Sequence, residues 1–311
     1  MDHSGHGTDL LPFTLGRGLG WSADPFFLVG CLVALALYAW GVVRLVRRGD
    51  KWPVGRTVAF VAGVLMIMLV MCTRLNDYGM VMFSVHMVQH MVISMLAPIL
   101  LLLGAPMTLA LRALPTAGKG PRELLLMFLH SWYMRIVTHP AFTIPMFIAS
   151  LYALYFTPLF DFLMGSRPGH IAMMVHFLAV GLFFFWPIMG VDPGPHRPGY
   201  LMRMLELFAG MPFHAFFGIA LMMASTPMVK SYENPPASLG IDALADQNAA
   251  GGIAWAFSEI PSVLVLLALL FQWYGSEQRQ ARRKDRAADR DGDKELEAYN
   301  AYLASLNARS R

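Results

Sequence analysis

Apolar residues along this chain gather into long runs separated by short polar stretches. A helix rising about 1.5 Å per residue needs about 20 such residues to cross the hydrocarbon of a bilayer. Seven segments reach that length, near residues 25–45, 56–74, 80–103, 140–159, 170–190, 205–229 and 253–274. Pro25, Pro140 and the Gly169–His170 step mark starts. Pro98, Pro145, Pro187, Pro212 and Pro261 fall inside spans or near their ends, where membrane helices tolerate proline and bend at it. The expected fold is all-α, a bundle of about seven transmembrane helices. It comprises an outer N-terminal tail over 1–24, the seven-helix domain over 25–274 and a charged cytoplasmic tail over 275–311.

Composition agrees. Of 311 residues, 56% are hydrophobic and 14% charged, against about 25% charged in a soluble domain. A formal net charge of +4 asks for no nucleic-acid partner, and lipid is the surrounding medium. The opening MDHSGHGTDL has no basic segment followed by an apolar one, so the first span is expected to direct insertion itself.

Short-loop charge sets orientation. Arg44, Arg47, Arg48, Lys51 and Arg56 follow the first span, and Arg112, Lys119, Arg122 and Arg135 follow the third. Arg197 and Arg203 follow the fifth, and Arg279, Arg282, Arg283, Lys284 and Arg286 follow the seventh. The opposite connections hold little beyond Arg17, Arg74, Arg167 and Lys230. The alternation puts the N-terminus outside and the C-terminus in the cytoplasm. The long third connection, 104–139, mixes Leu124, Leu125, Met127, Phe128, Leu129, Trp132 and Tyr133 with basic residues, as an interfacial amphipathic helix does. The tail reads as a solvated charged segment, although Leu296, Tyr299, Leu303 and Leu306 recur at helical spacing.

Within the third span His86 and His90 lie one turn apart, with Met82 one turn earlier and Met87, Met91 and Met95 on an adjacent stripe. Ionisable groups are costly in a bilayer and mark functional sites. Counting from the outer end, His86 lies roughly 9 Å deep and His90 roughly 15 Å. His176 of the fifth span and Glu259 of the seventh fall level with His86. Met68, Met71, Cys72, Met222 and Met223 share that outer third, and His214 lies deeper. Imidazole and thioether together suit copper, above all Cu(I). His86, His90, His176, Met82, Cys72 and Glu259 are therefore the candidate metal set, with Glu259 suited to orient a ligating imidazole. Packing explains many methionine stripes, and a histidine in a bundle can simply bond a neighbouring helix. Cys31 and Cys72 form no C-x-x-C pair and read as small buried residues. His3 and His6 form a sparse histidine tail.

Three stretches carry a resemblance. They are HMVQHMVISMLAPILLLLGAP from His86 to Pro106, HFLAVGLFFFWPIMGVDP from His176 to Pro193, and the pattern Asp246, Gln247, Gly251, Gly252, Trp255, Glu259. With Met211, Pro212, Phe213, His214 and Gly218, they make residues 55 to 275 similar to the CtaG-like family of polytopic assembly factors for caa-type cytochrome c oxidase. The resemblance implies a multi-pass protein of the bacterial plasma membrane. It also implies a non-enzymatic role in making haem–copper oxidase, with oxidase subunits as partners and copper as the cofactor supplied.

Two other classes fit the residues. A copper transporter or channel would use Met and His at successive depths as a relay. A b-type haem electron carrier would use His86 and His176 as axial ligands. Hydrolysis is not indicated, since there is no Ser/His/Asp arrangement, H-E-x-x-H or phosphate-binding glycine loop.

Overall fold

The helices begin where the chain supplies an acceptor or a proline for their free amide ends. Helix α1 (Pro25–Arg47) starts on a proline, and the Asp24 carboxylate accepts from the amides of Phe26 at 2.9 Å and Phe27 at 3.4 Å. Helix α2 is Val54–Met71. The computed structural model describes residues 10–116, 118, 120–196, 198–291 and 294–309. His3, His6, Lys119 and Arg197 lie outside them, as does the side chain of Leu296.

The third span is segmented. It comprises α3 (Phe83–Met91), a π-helical turn (Val92–Leu96) and α4 (Ala97–Leu103). Proline explains the turn. In an α-helix the Ser94 carbonyl would accept from residue 98, and Pro98 has no N–H. The chain then breaks at Ala105, whose φ of 50° lies in the left-handed region, and resumes as α5 (Pro106–Ala113).

Helix α6 (Pro140–Tyr155) is shorter than the expected 140–159. Its 16 residues cover about 24 Å of a hydrocarbon layer near 30 Å thick. Pro158 disfavours helical geometry at the residue before it, and the chain continues as the short helix Leu159–Met164. Helices α7 (Arg167–Met189), α8 (Tyr200–Met223) and α9 (Ala243–Asp291) complete the run. Among the described residues six helices are long and apolar enough to cross a membrane, and Pro140–Tyr155 is a shorter apolar one.

The chain divides into two units, Met1–Val265 and Leu266–Arg311. In the first, helix ends gather at two levels. At one level Arg167 pairs with Asp24 at 3.2 Å, Trp21 bridges to Thr73, and Tyr232 donates to the Gly79 carbonyl at 2.8 Å. The Asp161 carboxylate accepts from the Ser231 amide at 2.8 Å there. At the other level Tyr38 donates to the Gly104 carbonyl at 2.8 Å, His139 packs on His196, and Asp192 binds the start of α5.

The third connection is not a single amphipathic helix. It is divided among α5, Pro121–Leu129 and Trp132–Val137, with Leu124, Met127, Phe128, Trp132 and Tyr133 exposed. The second unit carries the charged tail in helical form. It holds the remainder of α9 to Asp291 and a further helix, α10 (Lys294–Arg309). Ala, Arg, Gln, Glu and Lys dominate that stretch, and all are strong helix formers.

Candidate functional site

The π turn follows His90 directly, and α7 crosses close against it. A Cβ on Gly181 would collide with the Ser94 carbonyl oxygen, so only glycine lets the backbones approach this closely. Ser94 turns its hydroxyl back onto the His90 carbonyl at 2.7 Å. π turns inside α-helices recur at functional sites.

Two aspartates from distant segments hold the ends of this region. Asp246, at the start of α9, accepts from the amides of Phe83 at 2.6 Å and Ser84 at 3.3 Å, and from the Ser84 hydroxyl. That places a carboxylate on the N-terminus of α3, where the helix dipole favours it. Asp192 does the same for α5, accepting from Met107 N at 3.1 Å, Thr108 N at 2.7 Å and the Thr108 hydroxyl at 2.7 Å. Burial raises the Asp192 carboxyl above its ordinary range, while the bonds from Thr108 and Met107 and nearby Arg56 act the other way. Gln89 ties α3 to the end of α2 by donating to the Val70 carbonyl at 2.8 Å.

Inside this frame lies a buried group of histidines. His86 Nε2 shares a 3.0 Å hydrogen bond with the Tyr155 hydroxyl, and its ring centre is 6.4 Å from that of His170. Phe160 and Tyr232 pack on the same imidazole. Deeper, His90 packs edge-on against Phe177 at 4.1 Å and lies 6.3 Å from His214, with the two imidazole planes within 19° of parallel. Tyr155 touches both His86 and His90. All four histidines are 5% exposed or less. Among the described residues, five of their ring nitrogens have no hydrogen-bond partner: His86 Nδ1, His90 Nδ1 and Nε2, His170 Nε2 and His214 Nε2. Buried polar atoms are rarely left unpaired, so this cluster calls for an occupant or a function.

The six sequence candidates separate in space. His86 and His90 lie in the cluster. His176 is exposed, bonds the Ser150 hydroxyl at 2.8 Å and packs on Phe177; no ring contact among the described residues joins it to His86. Met82 belongs to an apolar cluster with Tyr78, Val85 and Leu239. Cys72 is fully buried and free at the end of α2. Glu259 is half-buried on α9, where its neighbours Ser258 and Ser262 face His214 instead. Among the described residues no group of three or more His, Cys, Asp or Glu side chains is placed to hold a metal ion.

Sequence reasoning missed Tyr155, which is one aromatic among many in an apolar helix. His170 and His214 were visible as intramembrane histidines, but their pairing with His86 and His90 depends on helix rotation. Asp192 and Asp246 stood inside the quoted motifs without a role.

Residues 36–276 match the family described as cytochrome c oxidase caa3 assembly factor. Uncharacterized proteins of Mycobacterium bovis and Mycobacterium tuberculosis are each 45% identical over 307 residues, covering 96% of this chain and 46% of theirs. One from Mycobacterium leprae is 45% identical over 299 residues, 94% of this chain and 45% of its own. The chain thus spans about half the length of the curated relatives it matches. No solved structure matches it.

Proposed function

The chain belongs to the cytochrome c oxidase caa3 assembly factor family, and from that premise we propose that it holds copper within the membrane and hands it to an oxidase subunit. The observation that carries this reading is the buried cluster of His170, His86, His90 and His214, with five unpaired ring nitrogens. In a neutral imidazole one ring nitrogen carries a lone pair and the other an N–H, and a metal ion satisfies the lone pair without a proton. Copper is the metal for which imidazole and nearby thioethers are both suited.

The seven apolar segments sit in the bacterial plasma membrane with the N-terminus outside and the C-terminus cytoplasmic. α6 with Leu159–Met164 makes the fourth crossing. Basic residues in alternate connections support this orientation. It places His170 and His86 toward the outer face. The protein acts by binding and transfer, without covalent catalysis.

Metal analysis of detergent-purified protein beside a His86→Ala/His90→Ala double variant tests the reading. The expected result is copper in the native protein and its loss in the variant. Equal copper in both would remove the histidine cluster from the account.

A second reading is passage of copper across the membrane. It is favoured by the succession of two histidine pairs, His170 with His86 and His90 with His214. Uptake of Cu(I) into proteoliposomes distinguishes transport from presentation.

A further inference from the structure

We infer that His90 and His214 form a two-coordinate site for a soft monovalent d10 cation, Cu(I) or its redox-inert analogue Ag(I). The inference rests on the copper reading above and names one site within it.

Four observations carry it. First, both ring nitrogens of His90 and Nε2 of His214 are buried with no hydrogen-bond partner. Second, the ring centres lie 6.3 Å apart with planes within 19° of parallel. When one nitrogen of each ring turns toward the other, metal–imidazole bonds of about 2 Å on each side, plus about 1.1 Å from each nitrogen to its ring centre, span about 6 Å between centres. Third, His90, His214, Ser94, Ser150, Phe147 and Phe177 line a cavity of about 10 Å³, room for one water-sized body. Fourth, the polar groups of the wall are already engaged. The Ser94 hydroxyl donates to the His90 carbonyl at 2.7 Å, and the Ser150 hydroxyl donates to the Met146 carbonyl at 2.7 Å and meets His176 Nε2 at 2.8 Å; no carboxylate lines the cavity.

Ligand count selects the cation. Two neutral imidazoles satisfy an ion that accepts linear two-fold coordination. Zn(II) seeks four ligands and Mg(II) six oxygens, and neither set is present. A monovalent ion also brings the least charge into a dry, aromatic-walled space, where desolvation is most costly. Met95 and Met211 line a second cavity of about 10 Å³ that shares His214 and Phe147 with the first. They provide a nearby station to which the ion could move.

The test is anaerobic titration of the full-length detergent-purified chain with Cu(I) against a chromophoric chelator, repeated with Ag(I), and X-ray absorption of the Cu(I)-loaded protein. The native chain should bind one equivalent at this pair, with two nitrogen scatterers and the edge feature of linear Cu(I). His90→Ala and His214→Ala should each lose that equivalent, while His176→Ala keeps it. His214→Met guards against misfolding, since it should retain the equivalent with one sulfur replacing one nitrogen. Binding unchanged in His214→Ala, or coordination by three or more ligands, would overturn the pair. If His214→Ala binds the native amount of copper and His86→Ala loses it, the pair fails while the copper reading stands. If the native chain binds neither ion, both fail.

Discussion

Asp246 accepts a 2.6 Å hydrogen bond from the backbone amide of Phe83, 163 positions earlier, and so caps the helix that carries His86 and His90. It also bonds the Ser84 amide. Asp246→Ala leaves both amides unpaired and should cost about 1–2 kcal/mol. Asp246→Asn keeps an acceptor and should cost less. Thermal unfolding of the purified variants in one detergent measures both, and equal melting temperatures in all three proteins would contradict the capping role.

The second aspartate gives a pH dependence. Burial raises the Asp192 carboxyl in the folded protein. Between its unfolded value, about 4, and its raised folded value, the folded state binds more protons. This contribution is therefore fully present below the unfolded value and is lost as pH rises through the folded one. Asp192→Asn should flatten that part of the stability profile. Parallel profiles for the two proteins would show that the carboxyl does not titrate in that window.

Close backbone approach makes a third prediction. A side chain at Gly181 would collide with the Ser94 carbonyl, and one at Gly251 would meet the Gly218 carbonyl at 2.6 Å. Gly181→Ala must push α7 away from the π turn and should lower the amount of folded protein in membranes. Met91→Leu, by contrast, is a fully buried swap of similar volume and should cost under about 1.5 kcal/mol. Accumulation of Gly181→Ala at native levels would show that the crossing can widen freely.

Period and length made most of the helices readable, because a bilayer demands long apolar runs. What they could not reveal was interruption. Pro98 and Pro158 were visible, but whether proline kinks, makes a π turn or ends a helix depends on what packs there: Gly181 in one case and Phe160 with Asp161 in the other. Depth brought His86, His90 and His176 to similar levels, but level is not direction. His176 points to Ser150 at the exposed edge, while His170, six positions earlier on the same helix, turns inward to His86. The tail's charge and its helical spacing were both legible, and Ala, Arg and Glu favour helix whether or not it packs.

Tyr155 tests the geometry around His86. Tyr155→Phe leaves both His86 nitrogens without a partner and should cost about 1 kcal/mol. If copper binding depends on the orientation of this imidazole, copper occupancy of the purified protein should fall without being abolished. Occupancy equal to that of the native chain would show that the tyrosine packs without positioning the ring.

The most direct test is oxidase activity, with the copper content of the oxidase, in a strain lacking this protein and complemented with His86→Ala or His90→Ala at native expression. The account predicts that each variant accumulates in the membrane yet leaves the oxidase low in activity and copper, and that added copper partly restores both. Full complementation by both variants would contradict it and leave a scaffolding role on the oxidase subunits as the better explanation.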